Sequence, residues 1–172
     1  MGASRPAERL RVEVSPAERG RANIDTGFSV LDHLLTLLSE YGRFELVVAL
    51  APGESPADAL DAGEALGAAF SEHLRAEGAR GYGSGVLPVD EALAHVVLEV
   101  SDRPVYATNV DLSDARVGGL GNDLVTGFLR RLAEGAEVTL HVRLIAGDDA
   151  QHVLEAMFKA LGVALMHACR PT

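Results

Sequence analysis

The sequence has little cysteine and few aromatic residues: one cysteine, no tryptophan and 5% aromatic residues in a chain of 172. The single thiol, Cys169, cannot form a disulfide within the chain or build a cysteine-rich metal site, so both classes are excluded. A chain without disulfides is typical of a reducing compartment. We therefore expect a cytoplasmic protein.

Long apolar runs and net positive charge are also missing. No stretch stays apolar for the about 20 residues that a membrane span needs, and the first residues lack the apolar core of a signal peptide. The formal net charge is −10, with acidic residues spread along the chain. Because such a charge repels a phosphate backbone, we expect neither a membrane nor a nucleic acid as partner.

Small apolar residues dominate what is present. Hydrophobic residues make up 48% of the chain, which is enough for one domain with its own core. Since aromatic residues are scarce, we expect a core of alanine, valine and leucine. A chain this apolar also favours a homo-oligomer that buries further surface.

The same order of elements occurs twice: a leucine-rich helical pattern, a short strand-like run and a second helical pattern. The first set comprises 27–42, 44–50 and 56–75, and the second comprises 122–136, 138–144 and 150–168. Placing Phe44 on Val138 needs an offset of 94 residues, and placing the Ala-Leu-Gly of 65–67 on that of 160–162 needs 95. A duplication explains this nearly constant register.

Three further runs, 10–14, 92–101 and 105–113, have strand character. The pattern predicts an α+β fold in a single domain over 1–172. Its repeat halves are expected at roughly 1–85 and 86–172, each with a mostly antiparallel sheet and helices on one face.

The last helical segment carries His152, Glu155 and Lys159 at i, i+3 and i+7, so they lie along one side, and Asp148 or Asp149 is expected to cap the helix. A histidine and a carboxylate three residues apart can bind one divalent ion, and a lysine one turn on can meet an anion. The alternative is a solvated His–Glu hydrogen bond. This spacing alone does not decide between them.

Four separated segments carry a family resemblance: TGFSVLDHLL (26–35), GYGSGVLPVDEALAHVVLEVSDRP (81–104), VTLHVRLIAG (138–147) and QHVLEAMFKALGVAL (151–165). Together, and in this order, they resemble the imidazoleglycerol-phosphate dehydratase family, lyases of histidine biosynthesis. The resemblance covers nearly the whole chain. It implies two fused βα halves of the ribosomal protein S5 domain 2 type, a pair of manganese ions, and trimers that associate into a 24-subunit shell.

The resemblance also implies the metal ligands, since each half of the family has one histidine before its central strand and a His-His-x-x-Glu cluster after it. Three positions keep a ligand type here: His33, His152 and Glu155. The other five positions hold Gly127, Gln151, Pro56, Ala57 and Leu60. None of these five side chains is a good ligand for a divalent ion.

Three acids on the helix of the lost first-half cluster, Asp58, Asp61 and Glu64, could compensate by forming an oxygen-rich site. The alternative is an ordinary solvated helical face.

Other site residues are also implied by the resemblance. Arg103 and Lys159 match cations that bind the substrate phosphate, although the family arginine before Tyr82 is Gly81 here. Glu91 matches a typical family stretch, and Glu8 loosely matches an acid of the N-terminal motif; both are candidate catalytic proton carriers. The remaining histidines match no ligand position: His73, His95, His141 and His167. Arg103 as a turn cation and Glu91 as an ordinary acid at the start of a strand are the structural alternatives.

Two functional hypotheses follow. In the first, the chain is a dehydratase homologue with a degraded dimanganese site and weak or no activity, retained for a small phosphorylated imidazole ligand or for assembly as a trimer. In the second, it is an active lyase with a rearranged or single-metal site. Loss of two Lewis-acidic ions would remove most of the rate, which is why the ligand positions matter.

Overall fold

The computed structural model describes residues 10–50, 55–112, 116–117 and 120–171. Within them lie four helices: α1 (Ser29–Gly42), α2 (Pro56–Leu74), α3 (Asn122–Ala136) and α4 (Ala150–Cys169). The strands of the described residues are β1 (Leu10–Pro16), β2 (Arg21–Asp25), β3 (Phe44–Leu50), β4 (Tyr82–Val89), β5 (Ala92–Val100), β6 (Val105–Thr108), β7 (Arg116–Val117), β8 (Leu120–Gly121) and β9 (Val138–Ala146). Glu8, a candidate proton carrier, lies outside the described residues.

Each half contributes a sheet with the same central arrangement. β3 pairs antiparallel with β1 and parallel with β2, and β9 pairs antiparallel with β5 and parallel with β6. β4 adds an antiparallel edge strand, so the second sheet has the order β4-β5-β9-β6. The predicted α+β fold with two similar halves is confirmed, and each of these two sheets also contains one parallel pair. The boundary near residue 85 stays a prediction, and β4 crosses it.

The core lies between the two sheets. Phe44, Leu46 and Val48 of β3 are fully buried while Glu45 between them is exposed, because successive side chains of a strand point to opposite faces. α1 packs on α4 and α2 packs on α3, so the helices of one half meet those of the other. Burial of this apolar surface between the layers drives folding.

The two helix pairs cross at corresponding glycines. A Cβ atom on Gly162 of α4 would lie 2.5 Å from Leu38 O of α1, and a Cβ atom on Gly67 of α2 would collide with Leu132 O of α3. Gly67 and Gly162 differ by the repeat offset of 95, and Leu38 and Leu132 by 94. The contact between Gly162 and Leu38 therefore corresponds to the contact between Gly67 and Leu132, as the duplication predicts.

The structure corrects two predicted bounds. The first helix begins at Ser29 and not at residue 27, because Gly27 has a left-handed φ of 85° and Phe28 is extended. The strand expected at 105–113 ends at Thr108. Beyond it, the side chain of Asn109 replaces the backbone ladder, donating to Leu144 O at 3.1 Å and accepting from Leu144 N at 2.7 Å.

Of the described helices, α4 alone is long and apolar enough to cross a membrane by length and composition. Most of its apolar window is buried inside the fold. Five apolar residues at helical spacing form a stripe that is buried throughout, as in the core helix of a globular domain: Leu154, Met157, Leu161, Leu165 and Ala168.

Candidate functional site

α1 and α4 bring the first candidate pair together. His33 Nε2 lies 3.0 Å from Glu155 Oε2, and Gln151 Nε2 donates to the same oxygen at 3.2 Å. The three side chains border a cavity of about 170 Å³ that also contacts Ser29 and Leu154. His33 and Glu155 are 122 positions apart in the sequence, and the crossing of the two helices makes them neighbours.

His152 has different partners from Glu155, although the two are one helical turn apart. Its Nδ1 lies 2.6 Å from Glu91 Oε1, and its Nε2 lies 3.3 Å from Asp90 Oδ2. Both acids belong to the turn between β4 and β5. His152 and Glu155, predicted from their spacing to act as a pair, therefore have separate partners. His152 contacts Glu91 of the β4–β5 turn, and Glu155 contacts His33 of α1.

The β4–β5 turn and the start of α4 hold Glu91 in place. Asp90 adopts a left-handed φ of 50°, which aspartate tolerates in tight turns. Glu91 Oε2 accepts hydrogen bonds from the backbone N–H groups of Asp148 and Asp149, at 3.1 and 3.2 Å. Asp149 caps α4 by accepting from His152 N at 3.0 Å, which confirms one of the two predicted caps.

This arrangement stabilises the charged forms of Glu91 and His152. The hydrogen bond from His152, with those from Asp148 and Asp149, lowers the pKa of Glu91 from 4.5 to about 2. The hydrogen bond to Glu91 raises the pKa of His152 above 6.5, with additional attraction from Asp149 and Asp90. A helix N-terminus disfavours a cation, whereas the charge-assisted bond to Glu91 favours the imidazolium form of His152.

The corresponding place in the other helix pair is apolar. By the repeat offsets, Glu155 and His33 correspond to Leu60 on α2 and Gly127 on α3. A Cβ atom on Gly127 would lie 2.9 Å from Leu60 Cδ2. The two positions are therefore neighbours in both halves, and only one half carries donor atoms there.

The acids that could compensate are already engaged. Arg131 of α3 forms ion pairs with Asp61 Oδ1 at 2.7 Å and with Glu64 Oε2 at 3.0 Å. Asp58 completes a capping box with Ser55 at the start of α2. The guanidinium between Asp61 and Glu64 supplies the positive charge that a metal ion would otherwise bring to this pair.

The two predicted phosphate ligands lie on different elements. Lys159 Nζ of α4 sits 4.8 Å above the ring of Tyr41 on α1, a cation–π contact. Arg103 lies exposed in the turn between β5 and β6, where its backbone N–H donates to Ser101 Oγ at 3.1 Å.

A two-manganese centre requires many more donors than these elements provide, since Mn²⁺ favours six oxygen or nitrogen ligands. Within the described ranges, no group of three or more His, Cys, Asp or Glu side chains is placed to hold a metal ion. His33, Glu155 and Gln151 supply one imidazole, one carboxylate and one amide. This donor set does not fit two octahedral ions.

The fold and the site together invite comparison with known proteins. Residues 26–165 match the family model described as imidazoleglycerol-phosphate dehydratase. The chain belongs to the imidazoleglycerol-phosphate dehydratase family. The resemblance read from four sequence segments is thereby confirmed.

Curated relatives and solved structures agree with this assignment. The chain is 40% identical over 156 residues to the imidazoleglycerol-phosphate dehydratase of Acetivibrio thermocellus, covering 88% of this chain and 80% of the relative. It is 36% identical over 167 residues to that of Pelobacter propionicus, covering 94% and 85%. The crystal structure of the dehydratase from Staphylococcus aureus matches with a TM-score of 0.87 at 32% identity, covering 98% of this chain and 97% of that one. The dehydratase structure from Pyrococcus furiosus, in complex with (S)-C348, matches with a TM-score of 0.81 at 31% identity, covering 96% and 92%.

Sequence reasoning missed two contacts of this family member. The His152–Glu91 bond joins residues 61 positions apart, and Arg131 was not singled out as the partner of Asp61 and Glu64. The i, i+3 spacing of the two acids on α2 was the available signal for a shared cation. Among the remaining histidines, His73 has a structural contact with the backbone: its Nε2 lies 2.9 Å from Val14 O.

Proposed function

We propose that this family member is a dehydratase homologue with a dismantled dimanganese site and weak or no dehydratase activity. The observation that carries the proposal is the contact of Leu60 with Gly127 at the repeat position of Glu155 and His33. A leucine side chain and a glycine contribute no metal ligand. Half of the inherited metal machinery would then be absent from the chain.

The chemistry of the family explains why this loss matters. Dehydration of imidazole glycerol phosphate to imidazole acetol phosphate requires removal of a weakly acidic C–H proton and expulsion of hydroxide. Metal ions on the imidazole supply the electron sink in the family, a Lewis-acid contribution of several kcal/mol. In this chain, Glu91 accepts three hydrogen bonds, so its carboxylate is a weak base and a poor carrier of protons.

The proposal leaves two roles for the retained fold. Lys159 and Arg103 are cations that would hold the phosphate of a small phosphorylated imidazole. Assembly with further copies is the second role, which the 48% hydrophobic content of the chain favours. We expect a cytoplasmic homo-oligomer of trimer size, and not the 24-subunit shell, because inherited metal ligands would no longer join trimers.

A second candidate function is an active lyase with one metal ion. His33, Glu155 and Gln151 converge on a cavity of about 170 Å³, and a further ligand from another copy would complete a single site. The identity of 40% to a relative named as a dehydratase favours this reading. In it, dehydratase activity would require His33 and Glu155.

The metal content of the purified chain separates the two candidates. After incubation with Mn²⁺ and gel filtration, we expect well below one manganese per chain by inductively coupled plasma mass spectrometry. The Acetivibrio thermocellus relative is the positive control. A full equivalent of manganese, lost in His33→Gln and Glu155→Gln but kept in His95→Gln, would favour the single-metal lyase and contradict the dismantled site.

Light scattering on the same samples measures assembly, and a metal-free 24-subunit species would contradict the proposed trimer.

A further inference from the structure

The open face of the second sheet carries a concavity of about 430 Å³. Two cross-strand rows form its floor: Tyr82, Glu99 and Thr139 in one, and Ser84, Val97 and His141 in the other. Residues in register on neighbouring strands project from the same face and pack side by side. The side chains of these rows point away from α4, which Gly83 and Gly85 face, and α4 reaches the concavity only through His167 near its C-terminal end. The concavity shares no lining residue with the His33–Glu155 cavity.

Two opposite charges border this concavity without pairing to each other. The Arg80 guanidinium stacks over the ring of Tyr82 at 4.5 Å, and Glu99 is the cross-strand neighbour of Tyr82. Arg80 Nε is buried with no hydrogen-bond partner among the described residues. No ion pair of Glu99 is found in the described part of the chain either. A buried guanidinium N–H without a partner is costly, so the hydrogen-bonding capacity of Arg80 is not fully used within the described chain.

His141, His167 and the edge strand β4 complete the polar lining. His167 of α4 lies with Nδ1 at 3.0 Å from Ser84 O. Because a carbonyl oxygen only accepts, His167 donates from Nδ1, which leaves Nε2 for another partner when the ring is neutral. His141 lies across the concavity on β9. Tyr82 and Val97, 47% and 41% exposed, add apolar surface between these polar groups.

We infer that this concavity binds a small zwitterion, a free α-amino acid, with the carboxylate on Arg80 and the ammonium group on Glu99. The volume of about 430 Å³ is within the range of small-molecule sites. Arg80 and Glu99 carry opposite charges, and such a pair favours a zwitterion over a phosphate dianion that Glu99 would repel. Val97 and the Tyr82 ring would contact the side chain of the amino acid. This site does not depend on whether any dehydratase activity survives.

The test uses the full chain in its native assembly and the twenty proteinogenic amino acids as probes. Thermal-shift screening selects binders, and isothermal titration calorimetry measures their Kd. Arg80→Gln removes the carboxylate partner and Glu99→Gln the ammonium partner. Arg80→Lys keeps a cation and provides a second variant if the glutamine variant is unstable. Arg143→Gln, on the same face of β9 but outside the lining, is the matched control.

We expect at least one amino acid to bind with a Kd below about 1 mM. Its C-terminal amide and its N-acetyl derivative, which each lack one charge, should bind at least about tenfold more weakly. Arg80→Gln and Glu99→Gln should each weaken binding by a similar factor, while Arg143→Gln should not. Absence of binding at about 10 mM of every amino acid would overturn the inference. Binding that both glutamine variants retain, or binding of inorganic phosphate in place of amino acids, would overturn it as well.

Discussion

Leu60 faces Gly127 across α2 and α3 at the position where, in the other helix pair, Glu155 faces His33. A Cβ atom on Gly127 would lie 2.9 Å from Leu60 Cδ2, and Glu155 Oε2 lies 3.0 Å from His33 Nε2. The duplicated fold has therefore kept the same neighbours in both halves. Donor atoms are present at these positions in only one of them.

Two glycines at the helix crossings should differ in their tolerance of a methyl group. In Gly162→Ala the new Cβ would meet the backbone oxygen of Leu38 at 2.5 Å, so we expect the free energy of unfolding to fall by about 1 to 3 kcal/mol. In Gly127→Ala the Cβ meets the flexible end of Leu60, and alanine improves helix propensity by about 1 kcal/mol, so the net change should stay below about 1 kcal/mol. Urea denaturation measures both, and equal losses in the two variants would contradict the described crossing.

Placing a histidine at position 127 and a glutamate at position 60 tests the repeat correspondence directly. Gly127→His should destabilise the protein because the imidazole would meet Leu60. Adding Leu60→Glu should recover part of that loss, since the pair would then resemble His33 and Glu155. We expect a favourable coupling of about 0.5 to 3 kcal/mol in a double-mutant cycle measured by denaturation. Simple additivity would mean that positions 60 and 127 do not meet as described.

The Glu91–His152 pair should make a pH-dependent contribution to stability. Glu91 has a lowered pKa, so its contribution is present above pH 4.5 and is lost as the pH falls towards about 2. His152 has a raised pKa, so its contribution is present below pH 6.5 and is lost as the pH rises through the raised value. Both are therefore present between pH 4.5 and 6.5.

An NMR titration of chelator-treated protein measures this pair. The His152 ring should titrate above pH 6.5 in the native chain and closer to that value in Glu91→Gln, because the charged acceptor is removed. Glu45→Gln, an exposed acid on β3, should leave the His152 pKa unchanged. A native His152 pKa at or below 6.5 would show that the bond to Glu91 is absent in solution.

Cys169 should be inert in the folded protein. Burial raises the pKa of its thiol to about 12, and the thiolate is the form that reacts. At pH 8 we expect almost no alkylation by iodoacetamide in native protein and complete alkylation in urea, measured by intact-protein mass spectrometry. Rapid labelling without denaturant would contradict the described packing of the end of α4.

The elements with a clear period could be predicted from the sequence. Leu31, Leu34, Leu35 and Leu38 repeat at helical spacing and are all buried, and β3 has the predicted bounds. β4 was not predicted as a strand because Gly83, Gly85 and Pro88 are turn-forming residues. The structure explains the glycines: a Cβ atom on Gly85 would lie 2.5 Å from Ala160 O of α4. In a single sequence, glycines that let a helix approach a strand closely cannot be distinguished from glycines that form a loop.

The candidate site was predictable only in its residue types. Resemblance to the family singled out His33, His152 and Glu155, and the structure brings two of them together. The resemblance could not predict the hydrogen bond between His152 and Glu91, because that contact depends on how the β4–β5 turn packs against the start of α4. Three-dimensional contacts between distant segments are not encoded in local spacing.

Turnover of imidazole glycerol phosphate by the purified chain with excess Mn²⁺ tests the central claim most directly. The Acetivibrio thermocellus relative, assayed in parallel, gives the reference rate. Because several kcal/mol of Lewis-acid stabilisation would be missing, we predict a kcat/KM at least about a thousandfold below that reference, and no rescue of a histidine auxotroph that lacks the dehydratase. A kcat/KM within about tenfold of the reference, with growth rescue, would contradict the dismantled site.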